Sequence, residues 1–430
     1  MTCARLMVAP LLLLGLACGS AGKHVPAGLA DAAGSSGSAS VTHAGDSSVS
    51  GSDAASGANA GGAGSTDDPE QPPAELGGDS SQELQVVEVP AGPATALDLT
   101  PHVFIPATDA FYVFDRAGVV GKRRFALDTA SLALVTFDSD GTAPSSPLLD
   151  QPLAAAGRGD ELVALELDDK GDLVSVTYDG ELKHGTAPRR LAGPGSGAQA
   201  LASSADQDVA VWSLGSQLEG RLLATQSAIG DGFDYGARSS GDHGCAARAL
   251  WTGKRFAMLW TRANTGGENL LSWGTIDEQG ATLSARNLLS AQTALHLEDV
   301  VALSDGRLAV LLTLGSPAQA PLLLFVDEFG TLAGAAHVYQ GVTAAWTLAS
   351  DGTTLLLSAR SGQSQGVIRL LDATGEPRSD WLVVDDSAVA SNFEPRVAVF
   401  TSDQGYAAVV RLTDGSSAVV DLDPASFPSP

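Results

Sequence analysis

Cysteine is nearly absent. Cys3, Cys18 and Cys245 are the only three in 430 residues, and only Cys245 lies in the part expected to fold. No disulfide framework is open to that part, so packing has to stabilise it. Basic residues are also scarce, 24 Lys and Arg against 50 Asp and Glu, for a formal charge of −26. A partner that is a polyanion needs clustered cations to release its counterions. The densest group here, Lys122-Arg123-Arg124, reads as a solvated loop. Nucleic acid is therefore excluded, and the acidity bears on solubility rather than on fold. Aromatics reach only 5%. No apolar run approaches the roughly 20 residues of a membrane-crossing helix. Helical periodicity is missing too, since Gly, Asp or Ser interrupts about every tenth residue.

What is present is a hydrophobic content of 44% and 49 glycines, enough for a core of small side chains joined by many turns. The length fits two average domains or one large all-β domain. Residues 1–18 read as a signal peptide, with Arg5, an apolar stretch from Leu6 to Leu16, and then small residues. Cys18 follows Gly15-Leu16-Ala17, which resembles the lipobox of bacterial lipoproteins. Ala17 fits that pattern, whereas Gly15 stands where Leu is usual. The resemblance implies acylation of Cys18, and with more than one chain the anchor would be stable. Ordinary cleavage beside Ala17 or Ala21 is the other reading. Residues 19–82 are rich in Gly, Ser and Ala and close on Asp67-Asp68-Pro69-Glu70-Gln71-Pro72-Pro73. Such a segment buries too little apolar surface to offset its ordering entropy and is expected to be a disordered tether. About 60 residues of this type would span on the order of 45 Å.

Residues 83–430 carry a repeat. Its plainest copy runs from Trp251 to Leu283, where the apolar runs Phe256–Trp260 and Leu270–Ile276 are bounded by turn residues, as in antiparallel strands. One mark is the turn after a third strand: Phe137-Asp138-Ser139-Asp140-Gly141, Tyr178-Asp179-Gly180, Ile276-Asp277-Glu278-Gln279-Gly280, Val326-Asp327-Glu328-Phe329-Gly330, Leu371-Asp372-Ala373-Thr374-Gly375 and Leu422-Asp423-Pro424. A degenerate copy falls at Leu223 to Gly230. Asp bonds the backbone two residues on, and Gly accepts positive φ. The hairpin between strands one and two gives a second mark in phase, as at Ser304-Asp305-Gly306 and Ser350-Asp351-Gly352. Apolar second-strand runs follow these hairpins, and Phe111–Phe114 stands for that run in the first repeat. The spacing of roughly 40 to 55 residues is that of propeller blades. The expected fold is all-β, a β-propeller of four-stranded blades, seven in number, with six or eight still open. Leu84–Pro90 is expected to pair with the last blade and close the ring, removing exposed sheet edges.

Trp251, Gly253, Phe256, Trp260, Gly267, Asn269, Asp277 and Gly280 resemble the repeats of bacterial secreted and lipid-anchored propeller proteins, a group with no assigned activity. That resemblance implies architecture and not activity.

No nucleophile elbow, phosphate-cradling loop or His-Glu metal pair appears, so the sequence assigns no catalytic residue, cofactor or metal. The connection Gly230–Ala246 stands out by its length. Its Asp231, Asp234, Tyr235, Arg238, Asp242 and His243 are the candidate binding residues. They would bind a ligand, hold a divalent cation or share acid/base work, or else form a solvated insertion shaped by turn geometry. His296, Glu298 and Asp299, and Asn392, Phe393 and Glu394, are read as connections on the same face. Trp212, Trp260 and Trp346 are assigned to the core, and Trp273 and Trp381 to an exposed sugar-stacking surface. The expectation is a monomeric binding module displayed on the outer membrane or cell surface, or else periplasmic or secreted. Its membrane contact would be through the lipid alone, and its partner an envelope protein or polysaccharide. The alternative is an extracellular polysaccharide hydrolase or lyase using acids on the loop face.

Overall fold

The computed structural model describes residues 84–429, apart from 97–99, 107–111, 238–246, 264–268, 278–281, 292–294, 315–320, 362–364, 386–396 and several shorter breaks. Cys18 and the tether lie outside the described residues.

Three short strands come first: β1 (Val86–Val89), β2 (Ala94–Ala96) and β3 (His102–Ile105). Blade one follows with β4 (Arg116–Val120), β5 (Arg123–Asp128) and β6 (Ala133–Asp138). Blade two holds β7 (Pro152–Arg158), β8 (Glu161–Leu167), β9 (Leu173–Asp179) and β10 (Arg189–Ala192). Blade three holds β11 (Ser196–Ser203), β12 (Gln207–Leu214), β13 (Gln217–Ala224) and β14 (Ala228–Ala237). Blade four holds β15 (Ala247–Trp251), β16 (Phe256–Ala263), β17 (Asn269–Ile276) and β18 (Thr282–Ala291). Blade five holds β19 (Leu295–Ala302), β20 (Leu308–Leu314), β21 (Pro321–Val326) and β22 (Ala336–Tyr339). Blade six holds β23 (Val342–Ser350), β24 (Thr354–Ser361), β25 (Gly366–Asp372) and β26 (Trp381–Asp385). Blade seven holds β27 (Ala398–Ser402), β28 (Gly405–Arg411) and β29 (Ser417–Leu422), with β3 as its fourth strand.

These seven sheets form a closed ring, a seven-bladed β-propeller. The first strands line the axis, each beside the next, and β27 packs against β4 to complete the circle. Among the described residues the only helical element is the turn Pro424–Ser426.

The second strands show why thin sheets stack. In β20, Leu308, Val310 and Leu312 face the core shared with blade four, while Ala309 and Leu311 face that shared with blade six. In β28, Tyr406, Ala408 and Val410 face blade six, and Ala407 and Val409 face blade one. A strand apolar on both faces is stable only between two neighbours. One apolar cluster accordingly fills each of the seven interfaces.

Three sequence expectations are corrected here. Leu84–Pro90 does not pair with the last blade. Its β1 lies parallel along β22 at the rim of blade five, and Val89 enters the core between blades five and six. β2 then runs parallel along β26 of blade six, and β3, antiparallel to β29, closes the ring. Tyr112–Phe114, the described part of the run Phe111–Phe114, is not a second strand either; β5 has that place, and Phe114 packs against Phe104 ahead of β4. Arg123 and Arg124 belong to β5 rather than to a solvated loop. Arg124 is 2% exposed, pairs with Asp421 at 2.7 Å and lies over the Phe400 ring.

Candidate functional site

The axial strands share a repeated irregularity. In β11, Ala198 pairs with Trp212 and Ala200 with Val211, which leaves Gln199 over. In β19, Leu297 pairs with Leu312 and Asp299 with Leu311, leaving Glu298. In β23, Ala345 pairs with Ala359 and Thr347 with Ser358, leaving Trp346. β7 repeats the pattern at Leu153. The extra residue of a β-bulge is released from the ladder, so its carbonyl and side chain are re-aimed.

Three of these bulges occur at one level. Gln199, Glu298 and Trp346 each stand four positions before the last residue of the strand, Ser203, Ala302 and Ser350. Arg116 stands four before Val120, and Arg248 three before Trp251. All five side chains are half-buried. Gln199 and Glu298 are fourth of eight residues in their strands and Trp346 is fifth of nine, so the group lies part-way along the axis.

Arg116 spans that channel. Blade one adjoins blades seven and two, yet Arg116 donates to the Glu298 carbonyl of blade five at 3.2 Å and, more weakly, to the Trp346 carbonyl of blade six at 3.5 Å. With blade seven intervening on the rim, the path runs through the axis. Arg248 of blade four donates its Nε–H to the same Glu298 carbonyl at 2.9 Å, and another N–H to the Ala247 carbonyl at 3.0 Å. Two guanidinium groups therefore meet at one oxygen.

The residue after a bulge ties its blade to the next. Asp299 accepts the Leu348 N–H at 2.8 Å with one oxygen and the Val300 N–H at 2.9 Å with the other. Thr347 Oγ1 accepts the Val399 N–H of blade seven at 2.9 Å. Gln199 donates to Ser213 Oγ at 3.2 Å within its own sheet. Blades five, six and seven are thus tied to one another beside the axis at this level.

The residues singled out from sequence are distributed differently. Gly230–Ala237 is strand, not connection: Asp231, Asp234 and Tyr235 lie in β14, the outermost strand of blade three, with Asp234 opposite Glu219. That places their backbone at the rim, away from the axis. Arg238, Asp242, His243, Cys245, Asn392, Phe393 and Glu394 lie outside the described residues. His296, Glu298 and Asp299 belong to the axial strand β19, and Glu298 is the one that reaches the arginines. Trp273 and Trp381, expected at the surface, are 1% and 3% exposed because each is packed between two blades. Trp346, expected in the core, is only partly buried at the bulge.

One other concavity lies at the seam between blades one and seven. It is an open cleft of about 360 Å³ lined by His102, Arg124, Ser139, Asp140, Asp421, Leu422 and Asp423. Among the described residues, no three His, Cys, Asp or Glu side chains gather so as to hold a metal ion.

Arg116, Gln199, Arg248 and Trp346 escaped the sequence reading. A signal for them exists: counting back from the hairpin between strands one and two puts a long polar or aromatic side chain at the same place in several repeats. It is faint, because the bulge shifts the alternation by one residue where it occurs.

No family model matches the sequence, and neither does any curated protein. Among solved structures, a chain of hydrazine synthase from Kuenenia stuttgartiensis superposes with a TM-score of 0.50 at 14% identity, over 77% of this chain and 98% of that one. The β-propeller domain of the trilobed protease from Pyrococcus furiosus gives 0.46 at 9% identity, over 73% and 97%. TolB from Acinetobacter baumannii gives 0.38 at 14%, over 61% and 66%. At such identities the first likeness is one of fold alone.

Proposed function

We propose that this chain is an exported, lipid-anchored binding module whose propeller engages a protein or polysaccharide of the cell envelope through the arginine cluster on its axis. The observation that carries the reading is the meeting of Arg116 and Arg248 on the Glu298 carbonyl, with half-buried Gln199 and Trp346 at the same level. An axis on which groups from several blades converge is where a ring of this kind can surround a ligand. Export and anchoring rest on the signal-like leader, Cys18 and the Gly/Ser-rich tether. An outer-membrane or cell-surface address follows from the anchor. The enzymatic alternative draws no support from the acids: Asp231 and Asp234 stand on the rim strand of blade three, and Glu298 on the axial strand of blade five.

Two measurements test this. Labelling with a radioactive fatty acid in a bacterial host should mark the wild-type chain and not Cys18→Ser; an unlabelled wild type removes the anchor. Pull-down and glycan-array screening with the soluble Cys18→Ser chain should yield a partner whose binding falls in Arg248→Ala or Trp346→Ala. A partner indifferent to both variants would move the binding face elsewhere.

A further inference from the structure

From the same axial cluster, and resting on that reading, we infer the class of ligand: an acidic saccharide whose uronic carboxylate is taken by the guanidinium of Arg116. The chain has 50 acids to 24 bases, so a cation without a counter-charge is unexpected. Five other arginines follow the expectation, whereas Arg262 and the buried Arg369, like Arg116, bond to neutral oxygens. Arg123 pairs with Asp138, Arg124 with Asp421, Arg158 with Asp208, Arg190 with Asp172 and Arg307 with Asp305. Among the described residues Arg116 has no carboxylate partner; its two bonds go to neutral main-chain carbonyls.

Those carbonyls orient the guanidinium without neutralising it. A guanidinium carries five N–H donors in a planar fork, and the bonds to Glu298 and Trp346 engage one N–H on each terminal nitrogen. Among the described residues Nε–H and the remaining terminal N–H groups are uncommitted, and Nε is not sealed from solvent. The bulges at Glu298 and Trp346 supply the holding carbonyls, so the fork is fixed before a ligand arrives. A carboxylate completes it with two parallel charge-assisted bonds. Arg248 adds a second positive charge at the same carbonyl oxygen.

The surroundings favour one carboxylate per sugar over densely packed charge. Glu298 and Asp299 stand on the axial strand of blade five, and the whole chain carries −26. A polyphosphate or nucleic acid, with its denser charge, is repelled by both more than an oligouronate is. Trp346 points toward a sugar. Its indole is half-buried and its N–H reaches solvent, unlike the sealed indole nitrogens of Trp260, Trp273 and Trp381. A partly exposed ring with a free N–H offers a stacking face and a donor for hydroxyl oxygens.

The test is calorimetric titration of the Cys18→Ser chain with oligogalacturonate, neutral oligogalactose and an acidic peptide as probes. Oligogalacturonate alone should bind, more weakly as salt is added. Arg116→Met should reduce its affinity at least about tenfold, the scale of one lost charged hydrogen bond. Arg116→Lys, which keeps the charge but not the fork, should recover part of that, with circular dichroism confirming that both variants stay folded. Equal affinity in wild type and both variants, or preference for the acidic peptide, overturns the inference. Neutral oligogalactose that binds independently of Arg116 but is lost in Trp346→Ala overturns it too, while leaving the axial reading standing. No probe or partner sensitive to Arg248→Ala or Trp346→Ala sinks both.

Discussion

The indole of Trp273, in blade four, lies so close to Gly330 of blade five that no Cβ fits between them. Gly330 closes the turn opened by Asp327, at φ +75°, where L side chains are strained in any case. His337 bears on Gly375 in the same way one blade further on, where a Cβ would stand 2.8 Å from the imidazole. The last residue of the Asp-x-x-Gly turn is therefore glycine for two reasons at once: the turn's handedness and the neighbouring blade.

This separates two glycine variants. Gly306, at φ +87°, has open space beside it. Gly306→Ala should cost only the left-handed backbone penalty, about 1–2 kcal/mol. Gly330→Ala should add an overpacking penalty of roughly 1–3 kcal/mol against the indole. Chemical denaturation midpoints compare them directly. Equal losses would mean that the indole yields freely.

The turns were legible because their chemistry is local. Asp327 Oδ1 accepts the Phe329 and Thr331 N–H groups, and Asp372 Oδ1 those of Thr374 and Glu376. Residues a few places apart decide such a motif, so it repeats visibly. The first repeat was misphased because Phe111–Phe114 imitates an apolar second strand, whereas the real one opens with Arg123 and Arg124. A charged strand reads as a loop until its ion pairs with Asp138 and Asp421 are seen. The closing strand and the axial cluster depend on which blades meet across the ring. No local pattern records that.

Tyr406 joins blades seven and six through its hydroxyl, which accepts the Asp351 N–H at 3.1 Å and donates to the Thr354 carbonyl at 2.8 Å. Tyr406→Phe should leave both groups short of a partner and destabilise by about 1–3 kcal/mol. Burial pushes the phenol up from 10.0 to about 12. A raised phenol contributes stability in full below its unfolded value, lost as pH rises toward the folded one. Wild type should therefore lose more stability than Tyr406→Phe across that alkaline range. Parallel curves would show that another group titrates.

Acid should act through the turn carboxylates. At Asp372, burial pushes the carboxyl up, but bonds from the Thr374 hydroxyl and the Thr374 and Glu376 N–H groups outweigh it and hold it below 3.8. Asp351 is lowered in the same manner by Thr353 and Thr354. Groups lowered on folding stabilise above their unfolded value and cease to do so as pH falls through the folded one. Asp208, raised chiefly by burial despite Arg158 at 2.6 Å, acts in the opposite sense. Thermal melts between about pH 5 and pH 2 should fall more steeply for wild type than for Asp372→Asn, which keeps the turn's acceptor but not its charge. Matching slopes would remove Asp372 from the acid response.

Ring closure should depend on β3 far more than on β1. Phe104 in β3 is 1% exposed and stacks on Phe137 of blade one with ring centroids 4.2 Å apart, at the heart of the apolar cluster between the last blade and the first. Val87 in β1 is 37% exposed. Phe104→Ala should cost about 3–5 kcal/mol, the usual loss for emptying a buried aromatic site, and Val87→Ser less than about 0.5 kcal/mol, as at an ordinary surface position. Limited proteolysis supplies the spatial check. Phe104→Ala should open cleavage first in blades one and seven, because the lost stacking lies between them, and leave blades three and four protected. Cleavage beginning instead at β1 and the rim of blade five would mean that the N-terminal strap, and not the Phe104 stack, is what holds the ring shut.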